Sequence, residues 1–192
     1  MKKILVTLAC LVMMGGIIAQ EEHLSFKGVP INGTLKQYTD AMVRKGFRSE
    51  GIKDGFSVLT GDFAGYKNCV IRVATLKKCD VVSHIEVLFP ETELWPAIID
   101  DYDNLKSLLT EKYGEPELVR EEFTKYHGND NALKIYAING GELEWYTVFS
   151  TELGDIELTL AGGSVGYKAR VRLSYYDRVN TETVKQSALD DL

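Results

Sequence analysis

The sequence predicts an α+β fold: two helix-then-three-strand halves forming antiparallel sheets, with the helices packed on one face. Three observations carry this. Ile156, Leu158 and Leu160 alternate with Asp155, Glu157 and Thr159, and Tyr167, Ala169, Val171, Leu173 and Tyr175 alternate with Lys168, Arg170, Arg172 and Ser174. That is the two-residue period of a half-buried strand. Trp95, Ile98, Ile99, Tyr102, Leu105, Leu109 and Tyr113 recur at three- and four-residue steps, the stripe of an amphipathic helix. Residues 56–89 hold three strand-like stretches in succession, and Phe56-Ser57-Val58-Leu59-Thr60 is chemically matched by Tyr146-Thr147-Val148-Phe149-Ser150. The match implies an internal repeat, with related halves at about 24–90 and 91–178 and a short closing segment, 179–192.

The first residues read as a leader. Lys2 and Lys3, an uncharged apolar run over 4–18, and Ala19 ahead of Gln20-Glu21-Glu22 make the three regions of a secretory signal peptide. The run is short for the ~20 residues of a membrane span. Leu8-Ala9-Cys10 resembles part of a lipobox, but a cut there strands half of the apolar run on the mature chain. Cleavage after residue 19 leaves 20–192 as a single α+β domain, exported to the periplasm or beyond, with no membrane span. Losing Lys2 and Lys3 takes the formal charge from −6 to −8. That acidity argues against nucleic acid and against an anionic membrane surface as partners.

Cys69 and Cys79 remain after cleavage. With a strand over 70–76, ten residues at ~3.3 Å each separate them by about 33 Å. A disulfide needs Cα atoms within about 7 Å, so two free thiols are expected, Cys69 on a strand and Cys79 in a turn.

Taken in order, residues 24–31 contain Pro30 and suit an extended entry or an edge strand. Thr34 and Gln37 have capping-box spacing, which starts a helix over 34–45 with Leu35, Tyr38 and Met42 inward and Gly46 as its stop. Gly51, Asp54 and Gly55 mark turns. Strands follow at 56–63, 68–77 and 81–89. Cys69, Ile71 and Val73 share one side of the second strand, and Val81, Ile85, Val87 and Phe89 one side of the third. The opposite face carries Val70, Leu76, Val82 and Leu88 with Arg72, His84 and Glu86. A helix over 94–113 ends at Gly114 and Pro116. Residues 115–128 form a connector with a short strand near 118–123. Asp130 caps a helix through 139, with Leu133, Tyr136 and Ala137 inward and Gly140-Gly141 at its end; a strand through Ile135, Ala137 and Ile138 is the competing reading. In the last hairpin, pairing residues whose numbers sum to 327 sets Ile156 opposite Val171, Leu158 opposite Ala169, Asp155 opposite Arg172 and Glu157 opposite Arg170. Asn180 caps a closing helix through Leu189.

The apparent catalytic motifs weaken in context. Gly162-Gly163-Ser164-Val165-Gly166 fits G-x-S-x-G, but that motif needs a strand-to-helix turn and a histidine later in the chain. Here a strand follows Ser164, and the last histidine is His127. His23, His84 and His127 have no metal-ligand spacing. Asp100, Asp101 and Asp103 lie within the helical stripe and lack the glycine of a calcium loop. Lys168, Arg170 and Arg172 suggest an anion site but face acids across the expected hairpin. Trp95 and Trp145 are candidates for a ligand groove or for the core boundary.

The opening Phe26-Lys27-Gly28-Val29-Pro30-Ile31-Asn32-Gly33-Thr34-Leu35, the exit Glu111-Lys112-Tyr113-Gly114-Glu115-Pro116 and the close Asp177-Arg178-Val179-Asn180 resemble a group of small exported bacterial proteins. The plan of the halves is similar to the β-lactamase-inhibitor-protein-like fold, a tandem α/β repeat of envelope proteins and secreted inhibitors. Both resemblances are structural and imply no catalytic residue. The expected function is therefore an exported binding or scaffold module, not an enzyme. No cofactor, metal or catalytic residue is assigned, and the partner is a protein or a small molecule. A secreted protein inhibitor or a small-ligand carrier is the alternative; a hydrolase is less expected.

Overall fold

A computed structural model describes residues 22–53, 56–76, 79–125, 128 and 130–189. The leader over 1–19 and His127 lie outside the described residues. The first described elements make a tight hairpin, β1 (Ser25–Phe26) and β2 (Val29–Pro30), turned by Lys27 and Gly28, both at positive φ. Helix α1 (Leu35–Arg44) starts at the expected capping box, since Thr34 and Gln37 satisfy each other's backbone donors. Four strands follow: β3 (Arg48–Lys53), β4 (Phe56–Phe63), β5 (Tyr66–Leu76) and β6 (Cys79–Leu88). Then come α2 (Trp95–Tyr113), β7 (Leu118–Phe123), α3 (Asn131–Gly140), β8 (Leu143–Thr151), β9 (Gly154–Gly162), β10 (Ala169–Asp177) and α4 (Arg178–Leu189).

Eight strands form one antiparallel sheet in the order β3-β4-β5-β6-β10-β9-β8-β7. Two features differ from the sequence expectation. Each three-strand run carries a fourth, outer strand, the unexpected β3 and, as the short strand expected near 118–123, β7; and the runs are not separate sheets. They join where β6 pairs with β10, Val87 opposite Leu173 and Glu86 opposite Ser174. Strand β3 escapes the apolar pattern because Ile52 is its only large apolar residue and a bulge at Ser49–Gly51 breaks its period.

Helices α1, α2 and α3 cover one face. That face carries Ile71, Val73, Ile85, Val87, Phe149, Ile156, Leu158, Val171 and Leu173, all buried in a single hydrophobic cluster. The α2 stripe is the expected one, with Ile98, Tyr102, Leu105 and Leu109 buried. Tyr102 reaches through the layer to Thr147, hydroxyl to hydroxyl at 2.7 Å. Helix α3 forms, but it turns Ile135, Ala137 and Ile138 inward and leaves Leu133 and Tyr136 48% and 54% exposed. Its apolar residues surround the helix, so spacing alone does not choose a face. Val82, expected on the opposite face, is buried because bulges between Ala74 and Leu76 locally shift the β5–β6 pairing.

The last hairpin pairs residues summing to 331, not 327: Val171 faces Leu160, and Arg172 faces Thr159. The offset of four is even, so every side chain keeps its predicted face while its partner changes. The turn is centred two residues further along the chain than the glycine turn assumed, and it closes with Gly163 N–H donating to Lys168 O at 2.9 Å. At the other end Asp177 pairs with Gly154. Gly154 has φ +147°, and a Cβ there would sit 2.0 Å from the Tyr176 carbonyl oxygen.

Asp177 closes the fold. Its fully buried carboxylate accepts from His23 Nδ1 at 2.9 Å, from Leu24 N–H at 2.8 Å and from Asn180 N–H at 3.0 Å. It is thus the cap of α4, which begins three residues earlier than a helix capped by Asn180 would. Asn180 instead donates its side-chain amide to the carbonyls of Ile31 (2.9 Å) and Val82 (3.0 Å). The opening and closing motifs named above therefore meet in one buried polar node. Replacing Asp177 with Ala leaves three donors without an acceptor and should cost about 3 kcal/mol. Urea unfolding measures this; a loss under about 1 kcal/mol contradicts the role.

Candidate functional site

The face of the sheet opposite the helices carries the densest group of polar side chains. Cross-strand pairing aligns Arg72, Glu86, Ser174 and Glu157 in one row over β5, β6, β10 and β9. Arg72 NH1 lies 3.0 Å from Glu86 Oε2, and the Arg72 guanidinium sits 3.9 Å over the Phe56 ring. Arg172 reaches diagonally to Glu157 at 3.7 Å. His84 stacks on Tyr176, centroids 4.4 Å apart at 12°. The next row holds Val70, Leu88, Arg172, Thr159 and Tyr146.

The arginines keep the face that the sequence predicts but not the partners. Arg172 pairs with Glu157 instead of Asp155. Arg170 pairs with Glu91, beyond the end of β6, instead of Glu157. Arg170 is held below the usual guanidinium range by burial and by Arg72. His84 is pushed below its ordinary range by burial and by Arg172 and Arg72, against the opposing pull of Glu86. Burial also raises the Tyr176 hydroxyl, reinforced by Glu157. Arg172 Nε and His84 Nε2 are buried without a hydrogen-bond partner among the described residues. Sequence alternation places these groups on one face; it gives no sign of how far they bury one another.

Ser164 lies in the β9–β10 connection, where its N–H donates to Glu91 Oε1 at 2.7 Å and its hydroxyl to Glu91 Oε2 at 2.8 Å. A strand follows it, so the strained elbow is absent. His23 and His84 lie near the Asp177 end of the sheet. Eight residues of β9 separate that end from Ser164's, roughly 26 Å at strand rise. His23 and Asp177 have the geometry of a base-orienting pair, yet Asn32 Nδ2 approaches His23 Nε2 at 2.7 Å. With Nδ1–H donated to Asp177, the other nitrogen accepts from Asn32, and the ring acts as a bridge. Among the described residues no group of three His, Cys, Asp or Glu side chains is placed to hold a metal.

Cys69 is a free, buried thiol, pushed up to about 11 by burial. Cys79 pairs with Leu76 at the opposite end of the β5–β6 hairpin, already within β6; its side chain lies outside the described residues. Asp101 serves as partner to the Tyr66 hydroxyl, which burial first and Asp101 second push up to about 12. Trp95 and Trp145 do meet, edge to face at 5.4 Å, with Phe123 against both and Lys134 over Trp95. They form a partly buried boundary cluster on the helical side.

Among the described residues, clefts open on the helical side. One of 350 Å³ lies between α1 and β3, above the hydroxyl pair Thr39–Ser57. One of 550 Å³ lies between the starts of α2 and α3, beside Leu94 and Trp95. One of 120 Å³ lies between α2 and the β4–β5 turn.

The His84 environment sets a pH dependence. Its folded-state affinity for a proton is below that of the unfolded chain, so the unfolded state binds more protons below about pH 6.5. This contribution is full above that pH and is lost as pH falls through the lower folded value. Thermal unfolding of wild type and His84→Gln between pH 7.5 and 5 checks the sign. Wild type should lose more stability than the variant on acidification; equal or reversed slopes contradict the assignment. Comparison of the chain with protein-family models, curated proteins and solved structures yields no match.

Proposed function

We propose that the protein is an exported, non-catalytic binding module whose recognition surface is the helix-free face of the eight-stranded sheet. The observation that carries this reading is the concentration of partly buried charges and aromatic rings on that face, with two buried nitrogens unpartnered among the described residues. A sheet face that served only as solvated exterior has no need to bury Glu86 or to stack His84 on Tyr176 within the field of two arginines. Arginine and tyrosine are also the residues that anchor protein interfaces, because each combines apolar area with directed hydrogen bonds. The basic start and apolar run over 1–18 support export. A secreted inhibitor of another protein is one form of this reading. Two tandem helix-and-sheet units sharing one sheet fit the organisation into related halves.

A small-ligand carrier is the second reading, favoured by the clefts between the helices and the sheet. Photo-crosslinking in the exporting cell separates the two. A photoreactive side chain at Val148 or Thr159, on the helix-free face, should give discrete adducts of one protein mass. The same group at Glu111, exposed on α2, should not. Adducts from Glu111 alone, or none from the sheet face, would falsify the proposal.

A further inference from the structure

Helix α1 packs on β3–β6 and α2 on β8–β10, so the seam over the central strands is closed by other groups. Phe26 of the β1–β2 hairpin, Phe63 and Tyr175 fill it, with ring centroids 5.1 and 5.3 Å from Phe26. The closure is incomplete on the α2 side. A 120 Å³ pocket remains there, walled by Phe63, Leu105 and Leu109, with Leu173 and Tyr175 also lining it. Leu108, half exposed, and Lys112 stand on α2 at its rim. Among the described residues Lys112 is the one charged side chain in its lining, and its ammonium lies 4.7 Å from the Tyr113 ring centroid. The Tyr175 hydroxyl is raised by burial and by its neighbour Tyr113.

We propose that this pocket binds the end of a short aliphatic carboxylate, with the hydrocarbon chain among the leucines and the carboxylate at Lys112. Shape and charge together select this class. An apolar recess rewards a hydrocarbon chain, and a cation at the mouth of an otherwise uncharged lining rewards an anionic head over a cationic or neutral one. The volume equals the share of about four waters at roughly 30 Å³ each, so only a few carbons enter. The site is independent of the sheet face: it lies on the other side of the sheet and shares no residue with it.

The test uses the mature chain and a series of simple probes, butanoate, hexanoate, octanoate, hexanol and hexylamine, followed by NMR. Hexanoate should shift the resonances of Leu105, Leu109 and Leu173. Affinity should rise about threefold to fourfold per methylene and then level off once the recess is full. Hexylamine should bind at least about fivefold more weakly than hexanoate. Lys112→Glu, an exposed substitution, should reverse that order and leave hexanol unchanged. Leu109→Phe, which fills the recess, should abolish binding of all probes; if it fails to fold, the Lys112→Glu series decides alone. Equal binding of hexanoate and hexylamine, affinity that keeps rising with chain length, or shifts confined to the Leu35–Thr39 cleft would each overturn the proposal.

Discussion

The pairing of β6 with β10 is the contact on which the remaining architecture depends. It converts two four-strand meanders into one sheet and buries the edge that each would otherwise present. The outer edges that remain are of a different kind. Strand β3 has a bulge and the charges Arg48, Glu50 and Lys53, and β7 has Arg120, Glu121 and Glu122. Charge and irregularity discourage further strand addition there. The Asp177 node secures the same junction from its end, since Asn180 grips the Val82 carbonyl of β6 while Asp177 terminates β10 and caps α4.

One sheet with α1, α2 and α3 on one side has two unlike faces. The helical face holds the hydrophobic cluster, with a small pocket left between α2 and the β4–β5 turn. The other face cannot bury apolar side chains against a second layer. It covers itself with long polar side chains laid across the strands, Arg72 on Phe56 and His84 on Tyr176. The aliphatic stems of arginine and glutamate shield the sheet while their charged ends pair. The lowered proton affinity of His84 follows from that self-burial.

Local features were the legible ones. The Thr34–Gln37 box, the α2 stripe and the alternation in β9 and β10 each arise from neighbours in sequence, and each formed as the residues dictate. The register of the last hairpin was readable only to an even number, because alternation fixes the face and the loop fixes the partner. The displaced turn carries a contact that no local pattern shows, Ser164 with Glu91, 73 residues away. The inward side of α3 was ambiguous because Leu133, Ile135, Tyr136 and Ile138 surround its axis. The Asp177 node joins residues 154 apart, through a histidine for which the sequence offers no partner and an asparagine that it reads only as a helix cap. Nothing in the local chemistry of His23 or Asn180 announces its partner.

Native-state hydrogen exchange tests the central pairing most directly. If β6 and β10 form the middle of one cooperative sheet, their amides exchange only through global unfolding, while those of β3 and β7 exchange through local fraying. If β6 and β10 instead exchange as fast as the outer strands, with each meander protected separately, the single-sheet account is wrong.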